Sequence, residues 1–234
     1  MVGDKLKQIN MIIILTNFDF DNPSGAGWSR IMNYSKALAS EQAEIILISS
    51  KYNYSGNIHK NKIEHKTYFV TGKKLNYKAT FEDFHFRRHI KFIKNSYEFI
   101  KINNDKNRTF FLYNANLAIV LISLLYLKLW KKEKVFIERN ELRTAIALNM
   151  EPSHNSHINF LIDYPFKILR IISGFITDSL AIFFTGIMAI SKRFERLYKR
   201  FNKNVLRIPI LVDKDNITKH ENNRHNKRFT IGYF

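Results

Sequence analysis

The sequence contains no cysteine, which excludes disulfide bonds, thiolate metal sites and a cysteine nucleophile. Glycine and proline are scarce, with 8 and 4 residues, and the chain has no internal repeat or low-complexity tract. Residues 1–10 lack the apolar core and small-residue cleavage site of a signal peptide, so we expect no export. Together with the missing cysteine, this favours a cytoplasmic location.

Acidic residues are few relative to basic ones. The chain has 20 Asp and Glu residues and 38 Lys and Arg residues, which gives a formal net charge of +18. An imbalance of this size implies an anionic partner such as a nucleic acid, a lipid head group or a phosphorylated ligand. The hydrophobic fraction of 45% indicates a folded chain, and 234 residues suffice for one domain plus the start of another.

Short apolar runs alternate with helix-periodic segments along the chain. Such runs are typical of parallel strands that are buried on both faces, and the alternation predicts an α/β fold: a doubly wound, Rossmann-like parallel sheet with helices on both faces. Residues 51–65 lack a clear period and are predicted to form a loop. The predicted strands span residues 10–16, 43–50, 66–71, 108–113, 134–138, 185–190 and 203–210. The predicted helices span residues 27–40, 81–102, 114–130, 157–182 and 191–201.

One segment has the length of a membrane span. Residues 171–190 are mostly apolar but carry Asp178 near the middle, and an acid there costs about 2.5–3.5 kcal/mol on insertion scales. We therefore expect a buried helix that runs into a buried strand.

The end of the chain has a different composition. Residues 213–228 are polar and charged without an apolar period, which predicts a linker. Residues 229–234 begin a new apolar run, and a lone strand cannot bury its faces. We thus expect a first domain over residues 1–212 and the first strand of a second, missing domain at residues 229–234.

The stretch "NPSGAGWSR" directly follows the first predicted strand. Gly25 and Gly27 lack a Cβ and would let an anion approach the backbone N–H groups at the start of the helix, with Ala26 between them at the same phosphates. Arg30 would add a bidentate hydrogen bond to phosphate. The alternative is a plain turn whose glycines only serve packing. A dinucleotide site is disfavoured, because Arg30 replaces the third glycine and no acid ends the second strand. A P-loop is excluded because "GKS" and "GKT" are missing.

Two further polar groups follow predicted strands. Asp19 and Asp21 resemble a metal-binding carboxylate pair, but we interpret them as part of a solvated loop. At the carboxyl end of the strand 134–138, the stretch "FIERNELR" is either an internal ion-pair cluster or a site for sugar hydroxyls and phosphates. The candidate acceptor- or sugar-binding residues are Asn114, Glu138, Arg139, Asn140, Glu141 and Arg143.

Four stretches, in order, resemble the retaining glycosyltransferases of the GT-B fold, family 4. "NPSGAGWSRIMNYSKALASEQAEIILIS" is similar to the opening strand, glycine turn and helix of that family. "DSLAIFFTGIMAISKRFERLYKR" is similar to its "IAVS" strand and following helix. "NVLRIPILVD" resembles its "VxVIPNGVD" turn, and "RFTIGYF" resembles the strand that opens its second domain.

The resemblance implies the N-terminal, acceptor-side domain of a GT-B glycosyltransferase that is truncated before most of its donor site. It implies a nucleotide-sugar donor, a lipid-linked or glycan acceptor and a role in surface polysaccharide biosynthesis. It further implies a position at the inner membrane face, aided by the basic surface, and neither a metal nor another cofactor. The catalytic residue stays unknown, because Glu138 to Asn140 occupy the place of the family's histidine. The alternative is a non-catalytic basic module for anionic membranes or nucleic acid, although nucleic acid is disfavoured because the aromatic residues follow core periodicities.

Overall fold

The chain forms an α/β fold in which one large sheet is flanked by helices, as predicted. The computed structural model describes residues 11–22, 25–40, 43–54, 59–63, 66–75, 86–103, 107–139 and 157–208. The proposed linker 213–228, the strand 229–234, and the site candidates Asn140, Glu141 and Arg143 lie outside the described residues.

The large sheet has eight strands in the order β10-β9-β8-β7-β1-β2-β5-β4. All neighbouring strands in it are parallel except β4 and β5, which pair antiparallel at one edge. Its strands are β1 (Met11–Thr16), β2 (Glu44–Ser49), β4 (His59–Lys62), β5 (Thr67–Thr71), β7 (Arg108–Leu112), β8 (Lys134–Arg139), β9 (Gly186–Ala189) and β10 (Val205–Arg207).

A small second sheet pairs β3 (Tyr52–Asn53) with β6 (Lys73–Lys74) in antiparallel fashion. Strands β3 and β4 lie within the segment 51–65, so the prediction of a loop was wrong for residues 52–53 and 59–62. The strands of this segment are two and four residues long, and β4 is exposed throughout. Strands this short and polar form through pairing with β5 and β6, not through an apolar period of their own.

Five helices lie within the described residues. They are α1 (Gly25–Ser40), α2 (Phe86–Asn103), α3 (Leu117–Ile122, continued as a π-helix over Ser123–Trp130), α4 (His157–Leu180) and α5 (Lys192–Lys199). The side chain of Asn116 caps α3 by accepting a hydrogen bond from the Ile119 N–H, and Ser191 caps α5 in the same way. Both caps follow directly after strands or short turns, where the chain enters a helix.

Adjacent residues of the central strands show which helices cover which face. On β7, the Phe110 ring stacks on Tyr97 of α2, whereas the Phe111 ring meets Tyr34 of α1 edge-on. Because successive strand residues point to opposite faces, α1 and α2 lie on opposite sides of the sheet. Helix α3 packs against both α2 and α4, so these three helices form one layer and α1 belongs to the other.

Helix α4 differs from the sequence expectation of a buried helix. Large apolar side chains on its outer side, including Ile172 and Phe175, are exposed. It ends at Leu180, a 3-10 turn covers Ala181–Phe183, and β9 follows as the predicted buried strand. Within the parts of the chain that the structure describes, no helix combines the length and apolarity needed to cross a bilayer.

Candidate functional site

The strand order reverses between β1 and β7. From β1 the chain moves through β2 to β5 on one side, and from β7 through β8 and β9 to β10 on the other. Ligands of open α/β sheets bind in the crevice that such a reversal opens at the carboxyl ends of the strands. Asn17 follows β1 there and Asn114 follows β7, and the Asn114 side-chain amide donates to Asn17 Oδ1 at 3.3 Å. Asn114 has a φ of 52°, so the backbone turns sharply at this edge.

The glycine stretch forms the first turn of α1 at the same edge. The helix begins at Gly25, two residues earlier than the sequence predicts. A Cβ on Gly27 would lie 2.8 Å from Phe18 Cζ, so the missing side chain lets the Phe18 ring pack against the helix. The Tyr113 hydroxyl donates to the Gly27 carbonyl oxygen at 3.0 Å. Gly27 therefore has a packing role, while the first turn of the helix still directs its N–H groups toward this edge.

Arg30 lies one turn further along α1 and faces β8. Its Nη1 is 3.7 Å from Glu138 Oε1, and the two side chains are 14% and 1% exposed. The Tyr34 hydroxyl, on the next turn of α1, donates to the same carboxylate oxygen at 3.1 Å. Arg30 Nε is buried and makes no hydrogen bond with the described residues. Glu138 is thus held between two side chains of α1 and contacts them instead of solvent.

Burial is the main influence on the pKa of the Glu138 carboxyl. It raises the pKa of Glu138 from 4.5 to about 7, although Arg30, the Tyr34 hydrogen bond and Arg139 each act to lower it. Burial, followed by the nearby Glu138 carboxylate, also raises the pKa of Tyr34 and of Tyr113 above the usual value, so both remain neutral phenols. Near neutral pH, Glu138 therefore exists in both protonation states.

Arg139 does not join Glu138, because the next residue of a strand points to the opposite face. Its Nη2 donates to the Thr177 carbonyl oxygen of α4 at 2.9 Å, and Tyr198 of α5 lies nearby. Of the candidates in "FIERNELR", the described residues bring only Glu138 together with Arg30. Asn140, Glu141 and Arg143 stay predictions.

The carboxylates of the β1–α1 loop have a partner. Lys74 Nζ lies 2.7 Å from Asp19 Oδ2 and 3.3 Å from Asp21 Oδ2, and the Tyr52 hydroxyl donates to Asp19 Oδ1. The small sheet therefore holds the β1–α1 loop through the ion pairs of Lys74 with Asp19 and Asp21. In the described ranges, no group of three or more His, Asp or Glu side chains is placed to hold a metal ion.

Sequence reasoning missed Tyr34 and Tyr113 as parts of the site. Tyr34 is four residues after Arg30, so the two share one face of α1, and that spacing was the available signal. Tyr113 directly follows the strand 108–112, at the carboxyl edge of the sheet, where ligand-binding residues of open α/β folds lie. Their convergence on Glu138 and Gly27 involves residues 86 or more positions apart, which no local pattern reveals.

This sheet order, with the crevice between β1 and β7, defines a Rossmann-like fold of the kind found in GT-B glycosyltransferases. Sucrose-phosphate synthase from Thermosynechococcus elongatus has a similar fold, with a TM-score of 0.55 and 8% identity over 86% of this chain. The catalytic domain of starch synthase IV from Arabidopsis thaliana, solved with ADP and acarbose, has a TM-score of 0.52 and 12% identity over 89% of this chain.

The similarity covers only part of both solved structures. The chain spans 48% of the sucrose-phosphate synthase and 53% of the starch synthase domain, about half of each. No protein-family model and no curated protein matches the chain. At this level of identity the similarity establishes the fold alone.

Proposed function

We propose that this chain is the acceptor-side half of a retaining, family 4-like GT-B glycosyltransferase. It would act on a nucleotide-sugar donor and a lipid-linked or glycan acceptor, in surface polysaccharide biosynthesis. The observation that carries the proposal is that α1 begins after the carboxyl end of β1, at the edge where the strand order reverses, and that Arg30 lies one turn further along α1 against Glu138 of β8. The fold similarity to two glycosyltransferases supports it.

In this proposal the donor diphosphate lies at the first turn of α1. The N–H groups of Gly25, Ala26 and Gly27 and the positive end of the helix would stabilise the negative charge. Arg30 supports this role, because its side chain keeps 14% of its surface exposed and its buried Nε lacks a hydrogen bond to the described residues. These groups would offset the diphosphate charge without a metal or other cofactor.

Glu138 has a positioning role in this proposal. Its carboxylate is too deeply buried to contact a sugar in this structure, but it receives Arg30 and Tyr34 and so fixes the orientation of α1. Asn114 lies at the crevice with Asn17 and is the described candidate for contact with acceptor hydroxyls. The catalytic group is not assigned.

The proposal includes a second domain that would hold the nucleotide of the donor. The chain spans about half of the two similar structures. The half described here would be inactive alone. We place the protein in the cytoplasm with access to the inner membrane face, where lipid-linked acceptors are reached.

The first test measures binding of an anionic probe to the 234-residue chain. Inorganic pyrophosphate, ADP and UDP are titrated into ¹⁵N-labelled protein, and backbone amide shifts are followed by NMR. We expect the largest shifts at Gly25 and Gly27. Arg30→Gln should weaken pyrophosphate binding about tenfold, since a charge-assisted hydrogen bond contributes about 1.5–3 kcal/mol.

Arg196→Gln is the matched control, because Arg196 is an exposed arginine on α5 and its loss changes the charge equally. Equal weakening by both substitutions would instead favour a basic module that binds polyanions without a defined site. Shifts confined to residues outside the first turn of α1 would contradict the placement of the diphosphate.

A further inference from the structure

Helix α4 has its apolar side turned outward. Its inward side carries the small residues Ser173, Gly174 and Thr177, which are buried. Thr177 Oγ1 donates to the Ser173 carbonyl oxygen at 2.7 Å, and the Thr177 carbonyl oxygen accepts from Arg139. A surface helix of a water-exposed domain normally has the reverse arrangement, with large apolar groups inside. Among the α4 side chains that the structure describes, the exposed large apolar ones are Ile168, Leu169, Ile172, Phe175 and Ile176.

The neighbouring helix extends this exposed surface. The first part of α3, Leu117–Ile122, packs against α4 in the same layer, and Leu125 and Leu129 on its π-helical continuation are also exposed. Trp130 ends that continuation and is among the most exposed large apolar residues of the described chain. We call these eight residues the apolar patch: Leu125, Leu129, Trp130, Ile168, Leu169, Ile172, Phe175 and Ile176. Large apolar side chains that are exposed on neighbouring helices of one layer mark an interaction site.

Basic residues accompany the patch. Lys131 and Lys132 directly follow Trp130, and the Lys131 ammonium lies 5.3 Å from the Trp130 ring centroid. Helix α4 itself carries Lys167 and Arg170 as well as two acids, Asp163 and Asp178, and Asp178 interacts electrostatically with Tyr198 of α5. Tryptophan beside lysine is typical of protein segments at the boundary between lipid head groups and acyl chains.

The net charge of +18 distinguishes between possible occupants of the patch. A second copy of this chain would bring another +18 to the interface, and two such surfaces repel. An anionic bilayer attracts the same charge, at about 1 kcal/mol per basic residue near the surface, while its acyl region receives the apolar side chains. Charge complementarity therefore favours lipid over self-association.

We infer that the apolar patch of α3 and α4 docks onto an anionic lipid surface, with α4 lying in the plane of the interface. The patch lies on the helical layer opposite α1, so docking leaves the crevice at the carboxyl ends of β1 and β7 uncovered. This inference does not depend on sugar transfer, and its test has no activity readout.

The experiment measures partition of the 234-residue chain onto vesicles by flotation. Vesicles of equal parts phosphatidylglycerol and phosphatidylcholine are compared with pure phosphatidylcholine, at low and at high salt. We expect binding to the anionic vesicles that weakens with salt. Phe175→Asp should lower the partition coefficient about tenfold or more, because burial of a Phe side chain contributes about 1.5–3 kcal/mol.

Leu206→Asp is the matched control. Leu206 is 60% exposed and Phe175 is 65% exposed, so both substitutions remove an exposed apolar group and add one negative charge. Leu206 is in register with Met188 and Glu138 and therefore lies on the α1 side of the sheet, away from the patch. We expect its partition to stay within about twofold of the unsubstituted chain, because Leu206 points to the opposite face of the sheet and does not enter the bilayer.

Three results would overturn the inference. The first is equal loss of binding in both variants, and the second is equal binding to neutral and anionic vesicles. The third is no vesicle binding together with a dimer in light scattering that Phe175→Asp dissociates, which would assign the patch to a second copy. Thermal melts of both variants confirm that each is folded, since exposed substitutions usually change stability by about 0.5 kcal/mol or less.

Discussion

The Tyr34 hydroxyl on α1 donates to Glu138 Oε1 at the end of β8, at 3.1 Å and across 104 positions of sequence. Arg30 approaches the same carboxylate from one turn earlier on α1. These contacts link the helix that carries the glycine turn to a strand two places away from β1 in the sheet. Glu138 thereby connects α1 to the carboxyl end of β8.

Glu138 should make stability fall as the pH rises. Burial raises its pKa from 4.5 to about 7, so the folded chain holds this proton more tightly than the unfolded chain. The resulting stabilisation is complete below about pH 4.5 and is lost as the pH rises through about 7, with a magnitude on the order of 3 kcal/mol. Urea unfolding measures this decrease in the free energy of unfolding between pH 5 and pH 8. The decrease should be smaller in Glu138→Gln than in the unsubstituted chain, because glutamine stays neutral.

Glu195→Gln is the control for that comparison. Lys199 lowers the pKa of Glu195, so its titration lies below 4.5 and its contribution is lost only as the pH falls into that range. The stability difference between pH 5 and pH 8 should therefore equal that of the unsubstituted chain. If the free energy of unfolding changed equally between pH 5 and pH 8 in Glu138→Gln and in the unsubstituted chain, the link between Glu138 and stability would be refuted.

Gly186 should tolerate a side chain less well than Gly27. A Cβ at Gly186 would lie 2.8 Å from the backbone oxygen of Asn204 and 2.5 Å from the Phe136 ring, whereas one at Gly27 meets only the end of the Phe18 ring. We expect Gly186→Ala to lower the free energy of unfolding by about 1–3 kcal/mol. Gly27→Ala should cost less, because alanine favours the helix by about 1 kcal/mol. Denaturant unfolding checks both, and an equal cost would contradict the packing argument.

Lys74 should control the proton affinity of Asp19. Its hydrogen bond is the main cause of the lowered pKa of the Asp19 carboxyl. In Lys74→Met we expect that pKa to rise toward its ordinary value, as followed by carboxyl ¹³C NMR during an acid titration. Lys73→Met, the same change on the neighbouring exposed residue, should leave the Asp19 titration unchanged. An unshifted Asp19 in Lys74→Met would show that another group sets this pKa.

Much of the fold could be predicted from local patterns. The run "MIIILT" forms the buried β1, and the helical period of the following residues forms α1, because each pattern matches the burial of one element. The pattern failed at β3 and β4, which are short and polar and exist through pairing with distant strands. It also failed for α4, whose apolar residues indicated burial although much of its apolar surface lies outside.

The site shows the same division. The glycine turn and Arg30 could be proposed from their position after a strand, since the carboxyl ends of parallel strands share one edge. The sequence alone thus determined the class of fold and the order of its helices and longer parallel strands, and it predicted the edge at which a ligand would bind. Only the tertiary structure decided that Glu138 faces Arg30 and Tyr34 while Arg139 faces α4. The physical reason is that strand residues alternate between faces, and which helix covers each face depends on chain segments far away in sequence.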